Sequence, residues 1–108
     1  MTIYLGQAVY SGDIAAKGLL QEGGTKRKEA AITMFESLGA QLLSPIYYGF
    51  GKRVDLFCIL EVPDQATMAT IVMLGATAGL DVTLTELMEV DVIDAASQKS
   101  PTYRPPGQ

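Results

Sequence analysis

The stretch that most constrains the fold of this chain is Arg53–Asp64, where a strand pattern runs directly into a helix start. Apolar residues recur with a period of two through Val54–Val62, which is typical of a β-strand. One face of this strand is wholly apolar and consists of Val54, Leu56, Cys58, Leu60 and Val62. The other face is apolar in the middle and acidic at both ends, with Asp55, Phe57, Ile59 and Glu61. We expect helices to cover the first face, and the second to face a subunit or a ligand.

The segment after this strand predicts a helix of unusual composition. Pro63 and Asp64 precede it, and Asp64 is a favoured N-cap residue because its carboxylate can accept a hydrogen bond from the first turn. Gln65–Ala78 contains no charged residue, and apolar side chains surround most of the helix. A helix that is apolar nearly all round is buried. Since one small sheet cannot bury every side of it, we expect a partner subunit to cover part of this helix.

The rest of the chain supplies one more helix and three more strands. Apolar residues at a spacing of three, ending at Gly39, predict the helix Thr25–Leu38. The strands are predicted at Thr2–Tyr10, Gln41–Tyr48 and Asp81–Val90. Pro45 cannot donate to a ladder, so the strand that contains it is expected to be bent or at an edge. Short helical turns are expected at Ile14–Leu20 and Val92–Ala96, and a hairpin turn at Gly49–Lys52.

This order of elements, βαββαβ, is that of a ferredoxin-like α+β fold. It predicts a four-stranded antiparallel sheet with two helices on one face, and it leaves the other face bare. Phe57, Ile59 and aromatic residues such as Tyr4 or Tyr48 are expected to line the bare face, and such a surface needs a cover. Two sheets packed face to face would supply it. The prediction is therefore a dimeric α/β barrel, as a homodimer or a higher homo-oligomer.

The length of the chain gives room for one domain and one core. We expect that domain to span residues 1–96. Residues 97–108 contain three prolines and no core content, which is typical of an extended tail.

Charge and composition argue against several partners. The net charge is −4 and 8 residues are basic, whereas nucleic-acid binding needs clustered Lys and Arg, so no nucleic-acid partner is expected. No apolar run reaches the ~18–20 residues of a membrane span, and the N-terminus lacks the pattern of a signal peptide. Cys58 is the single cysteine, which excludes an internal disulfide and agrees with a reducing compartment. We therefore expect a cytoplasmic protein with no membrane partner.

The lack of histidine removes the usual general base and the commonest metal ligand together. Asp and Glu at these spacings form no recognisable ligand set, so neither a metal nor a cofactor is expected. The basic cluster Thr25–Lys28 lies at a helix start, where an anion or nucleotide could bind if its side chains converge. A solvated helix face is the other interpretation of that cluster.

The chain resembles the GYD-domain family from roughly Thr2 to Val90. The resemblance is carried by the run Lys26–Gly39, the strand Val54–Asp64 and the apolar helix that follows. In the family's namesake motif, Gly-Tyr-Asp, Asp55 stands at the Asp, Val54 replaces the Tyr, and Gly51 lies further away than the motif has it. The resemblance implies a small protein of the dimeric α/β-barrel type, in a family whose members mostly have no assigned function.

Two classes of function follow. The first is an oligomer that encloses a small apolar or aromatic ligand between subunits, or that acts only as an assembly module. Its candidate ligand-binding residues are Tyr4, Tyr47, Tyr48, Arg53, Asp55 and Phe57. The second is an enzyme without a cofactor, since related α/β barrels include isomerases and monooxygenases.

In the enzyme, Asp55 would be the base, and Tyr4, Tyr47 or Tyr48 would orient the substrate through their hydroxyls. The alternative is that Asp55 is a solvated or ion-paired strand end and that the tyrosines are core or interface residues. The sequence leaves open whether the protein is an enzyme.

Overall fold

The computed structural model describes residues 1–51 and 53–108. This part of the chain forms a mixed α+β fold with five strands and four helices. In chain order the elements are β1 (Thr2–Tyr10), α1 (Asp13–Glu22), α2 (Gly24–Ser37), β2 (Gln41–Leu42), β3 (Tyr47–Tyr48), β4 (Leu56–Val62), α3 (Gln65–Thr77), β5 (Leu80–Glu86) and α4 (Val90–Ser97). The predicted turn Gly49–Lys52 includes Lys52, which lies outside the described residues.

All the strand pairs are antiparallel. The order across the sheet is β2-β4-β1-β5, and β3 pairs with β4 on the same edge as β2. β1 is central, and its Gly6 lies opposite Cys58 of β4 and Leu84 of β5. Because paired residues share a face, the even-numbered residues of β1, β4 and β5 all lie on one side of the sheet.

The strand count differs from the predicted four, because the strand expected at Gln41–Tyr48 is interrupted. Leu42 lies opposite Leu60, and Tyr48 lies opposite Leu56, so β2 and β3 pair with different parts of β4. Between them, the Ile59 N–H donates to the Ser44 hydroxyl at 2.7 Å instead of to a ladder carbonyl. Pro45 follows at the break, in agreement with its inability to donate.

The helix count also differs from the predicted two. α2 and α3 match the predicted helices to within one residue at each end, and the Asp64 cap is confirmed. Its Oδ1 atom accepts a hydrogen bond from the Thr67 N–H at 2.7 Å, and this bond lowers the pKa of the carboxyl. The two short turns that the sequence predicted are longer in the structure, where they form the complete helices α1 and α4.

The core lies on one side of the sheet, named here the helix face. Its buried residues are Tyr4, Phe35, Ala40, Cys58, Leu60, Val62 and Ile71, which come from β1, α2, β4, α3 and, for Ala40, the residue just before β2. The opposite side, named here the open face, carries Ile3, Leu5, Tyr47, Phe57 and Ile59.

The prediction that Tyr4 and Tyr48 line the bare face of the sheet was wrong. Tyr4 is 7% exposed in the core and Tyr48 pairs with Leu56, so both lie on the helix face and not on the bare one. Both faces of β1 carry large apolar residues, so periodicity alone could not decide between them.

Helix α3 packs closely on β5 at a glycine. A Cβ atom added to Gly75 would lie 2.5 Å from Val82 Cγ2 and 3.3 Å from the Leu80 carbonyl oxygen. Only a residue without a side chain therefore allows this approach. The far side of the same helix is open to solvent, and Met73 is 62% exposed.

The C-terminal part of the chain extends away from the core. Every residue from Leu87 to Gln108 is exposed, including α4. The Cα radius of gyration is 17.5 Å, against the ~13 Å of a compact domain of about this length.

Candidate functional site

A cavity of about 450 Å³ lies between the helix face of the sheet and helices α1, α2 and α3. Its floor includes Gly6, Ala8, Leu56, Cys58, Leu60, Val82 and Leu84. Its walls include Ala15, Gly18, Leu19, Ala30, Ala31, Met34, Phe35, Ile71, Leu74 and Gly75. Small-molecule sites usually measure roughly 300–1,000 Å³ and are mostly apolar, so the cavity has the size and character of such a site.

The cavity exists because small residues meet on its facing walls. In β1 the helix face carries Gly6 and Ala8 at its centre, between the larger Tyr4 and Tyr10. Helices α1 and α2 add Ala15, Gly18, Ala30 and Ala31 above them. Because these side chains are too short to fill the gap, a space remains between the sheet and the helices.

One end of the cavity is aromatic and polar. Tyr10 and Tyr48 both line it, and both stack on Phe50, with ring centroids 6.5 Å and 5.8 Å apart. Phe50 has a backbone φ of 39°, a left-handed conformation that is uncommon for a residue with a side chain. Such backbone strain is found preferentially at binding sites, so its position beside the two tyrosines is notable.

Arg27 of α2 lines the cavity as well. Its guanidinium Nη1 lies 3.1 Å from Glu22 Oε2, and both side chains are almost half-exposed. Burial raises the pKa of the Tyr10 phenol, Tyr48 and Asp55 raise it further, and Arg27 acts in the opposite direction. Tyr10 therefore keeps its proton at neutral pH and remains a hydrogen-bond donor.

Cys58 forms part of the cavity floor and is 6% exposed. Burial raises the pKa of its thiol to about 11. At neutral pH the thiol is therefore protonated, and it acts as a small apolar side chain and not as a nucleophile.

Asp55 directly precedes β4 and lies beside the end of β1. It is not one of the residues that line the cavity. Its Oδ2 atom accepts a hydrogen bond from the Tyr10 N–H at 2.9 Å. Its backbone N–H donates to the Ala8 carbonyl at 2.9 Å, and its carbonyl accepts from the Gly49 N–H at 2.9 Å. Asp55 thus ties together the end of β1, the start of β4 and the loop after β3.

The other residues predicted for the site are dispersed. Tyr47 and Phe57 stack on the open face with centroids 5.5 Å apart, and both are partly exposed. Tyr4 belongs to the core, and Arg53 is exposed beyond the start of β4. Of the six predicted ligand-binding residues, Tyr48 alone lines the cavity in the part of the chain that the structure describes.

The basic cluster of α2 does not converge on one point. Arg27 lines the main cavity, whereas Lys28 lines a second pocket of about 360 Å³ that also contacts Gln41 and Pro45. The side chains of Arg27 and Lys28 therefore line two different pockets and do not form one site.

Two residues at the polar end of the cavity, Tyr10 and Arg27, were not among the six residues predicted for ligand binding. The sequence placed Tyr10 at the end of the predicted strand Thr2–Tyr10 and Arg27 in the basic cluster Thr25–Lys28. The signal that could have identified the cavity is the pair Gly6 and Ala8 in the middle of a strand whose other positions are large. Small residues at the centre of a covered sheet leave space above them.

These features define an antiparallel α+β domain with an apolar cavity between its sheet and its helices. The family model for the GYD domain matches residues 4–96 of the 108-residue chain. The chain therefore belongs to the GYD-domain family, and the resemblance read from the sequence is confirmed. No curated protein and no solved structure matches the chain. Within the described residues, no helix has both the length and the apolar content needed to cross a membrane.

Proposed function

We propose that this protein binds a small apolar or aromatic molecule in the cavity between its sheet and its helices. The observation that carries the proposal is the cavity itself, about 450 Å³ in volume and lined mainly by aliphatic side chains. Polar groups are concentrated at one end, where Tyr10, Tyr48 and Arg27 lie. An apolar body with a few convergent polar groups is the usual composition of a ligand site.

Binding is favoured over catalysis because of the position of Asp55. A cofactor-independent isomerase or monooxygenase needs a base within hydrogen-bond reach of the substrate. The Asp55 carboxylate is instead bonded to the Tyr10 N–H. Among the described residues that line the cavity there is no Asp, Glu or Lys.

The proposal includes a ferredoxin-like fold that pairs as a dimeric α/β barrel. The order β2-β4-β1-β5, with β2 and β3 as two parts of one interrupted strand, supports such a fold. The open face supports the pairing, because it presents Tyr47 and Phe57 with Ile3, Leu5 and Ile59. The exposed apolar residues of α4 add a second surface that association would cover, with Val90, Val92 and Ile93 at 81%, 46% and 57% exposure.

The binding proposal can be tested with N-phenyl-1-naphthylamine, a neutral aromatic probe that fluoresces in apolar sites. We expect saturable binding at one site per chain. Ala31→Phe should fill the cavity and weaken probe binding at least about tenfold, since Ala31 lines the cavity beside the core. Leu74→Trp should also weaken probe binding. Because Leu74 lines the cavity but is partly exposed, this change should disturb the core less.

Ala69→Phe is the matched control, because Ala69 is an exposed alanine of α3 outside the cavity lining. It should leave the affinity unchanged, and circular dichroism should show that all three variants are folded. Native mass spectrometry of freshly purified protein would report the subunit number and any retained molecule together. Lack of saturable binding, or equal weakening by Ala69→Phe, would refute the proposal.

A further inference from the structure

The lining of the cavity carries positive charge. Among the lining residues that the structure describes, Arg27 is the one with a full charge. Its side chain borders the cavity and is 45% exposed. The guanidinium therefore lies at the solvent-exposed opening of the cavity, named here the mouth, and not in the apolar interior. A planar guanidinium recognises carboxylates in particular, because its paired N–H donors match their two oxygens.

The two tyrosines at the same end supply further donors. Tyr10 and Tyr48 both line this end of the cavity and both stack on Phe50, and the Arg27 guanidinium lies near enough to Tyr10 to act on its pKa. The Tyr10 hydroxyl is therefore within the influence of the guanidinium, and Tyr48 lines the same cavity beside it. A phenol that retains its proton can donate to a carboxylate oxygen.

The carboxylate already beside Arg27 is a weak competitor. Glu22 pairs with Arg27 at 3.1 Å, but both side chains are almost half-exposed, and ion pairs of this kind contribute little. The pair also engages one of the two terminal nitrogens of the guanidinium. A ligand carboxylate could therefore bind beside Glu22 or displace it.

We infer that the ligand is an amphipathic organic anion, with an apolar or aromatic body in the cavity and a single carboxylate held at Arg27, Tyr10 and Tyr48. This inference rests on the proposed function, because it names the chemical class of the molecule that occupies the same cavity. The aliphatic floor and walls hold the body, and the mouth selects the charge.

The test compares two probes with the same phenyl and alkyl skeleton, 4-phenylbutyrate and 4-phenylbutan-1-ol. Each is titrated against protein loaded with N-phenyl-1-naphthylamine, and its affinity is taken from displacement of that probe. We expect the carboxylate to bind the native protein about tenfold more tightly than the alcohol. Added salt should reduce this preference, because the mouth is open to solvent.

Arg27→Gln should abolish the preference for the carboxylate over the alcohol. Lys28→Gln is the matched control, since it removes the same charge from the next residue of α2, which borders the second pocket. It should leave the preference intact. Tyr10→Phe and Tyr48→Phe should each reduce it, and Glu22→Gln should increase it by removing the competing carboxylate.

The outcomes separate this inference from the function on which it rests. Displacement by both probes with equal affinity would overturn the inference and leave the proposed function standing. Loss of the preference in Lys28→Gln as in Arg27→Gln would overturn it too, since only net charge would then matter. Failure of the native protein to bind any of the three probes would overturn both.

Discussion

Asp55 and Tyr10 are 45 residues apart in sequence and are joined by a hydrogen bond of 2.9 Å from the Tyr10 N–H to the Asp55 carboxylate. The bond joins the last residue of β1 to the segment that leads into the neighbouring strand β4. It also holds the backbone of a tyrosine whose ring lines the cavity. The carboxylate that stands at the Asp of the family motif thus has a visible structural task in this chain.

Replacing Asp55 should therefore cost stability. Asp55→Ala leaves the partly buried Tyr10 N–H without its partner, and we expect the free energy of unfolding to fall by about 1–3 kcal/mol, as for other bonds to charged groups. Asp55→Asn keeps an acceptor oxygen and should cost less. Urea denaturation measures both, and Asp81→Ala, at an exposed acid of β5, is the control for loss of charge. Equal stability of Asp55→Ala and Asp81→Ala would contradict the structural role.

Two helical glycines should respond in opposite ways to the same change. Gly75→Ala places a methyl group 2.5 Å from Val82 Cγ2, so we expect a loss of about 1–3 kcal/mol from overpacking. At Gly18 an added Cβ atom meets nothing within 4 Å, so Gly18→Ala should stabilise by up to about 1 kcal/mol through helix propensity. Thermal or urea unfolding of the two variants measures the contrast. A stabilising Gly75→Ala would show that α3 does not pack on β5 as described.

The single cysteine should be inert in the folded protein. With its pKa raised to about 11 by burial, Cys58 has a thiolate fraction at pH ~8 that is roughly two hundredfold lower than that of an ordinary thiol of pKa ~8.5. Reaction with a chromogenic disulfide reagent should be slowed by at least that factor. The same protein unfolded in guanidinium chloride is the control and should react at the normal rate. If the folded and unfolded rates differed by less than tenfold, Cys58 would be accessible.

A charge on the open face should separate the subunits of the proposed dimer. Phe57→Lys puts an ammonium group beside Tyr47, and we expect the dissociation constant to rise at least ~30-fold, because central aromatic residues contribute much of the energy of an interface. Sedimentation velocity measures the change in mass. Leu20→Lys, at an 87% exposed residue of α1, is the control that keeps the same chemistry away from the open face.

A wild-type protein that is already monomeric at high concentration would contradict this pairing. So would a Phe57→Lys variant of unchanged mass. Met73→Asp, on the exposed side of α3, tests separately whether that helix contacts a partner, as its charge-free sequence predicts.

The elements that could be predicted are those set by local chemistry. The period of two in Val54–Val62 and the cap at Asp64 depend on residues close together in the chain. The cap is present, and the strand is present from Leu56 to Val62. The break between β2 and β3 was only half predicted. Pro45 indicated a bend, but the bond from the Ile59 N–H to the Ser44 hydroxyl joins residues 15 positions apart.

The sequence by itself determined the strand and helix types, the family and the apolar character of both sheet faces. The wholly apolar row of β4 also predicted, correctly, which of its faces the helices cover. Only the tertiary structure decided which residues of β1 and β3 share that face, and with it the positions of Tyr4 in the core and Tyr48 at the cavity. The reason is geometric: alternation places neighbouring residues of one strand on opposite faces, but the register between strands decides which face of β1 and β3 joins the covered face of β4. The cavity depends on the same choice, because Gly6 and Ala8 leave a space only where helices stand above them.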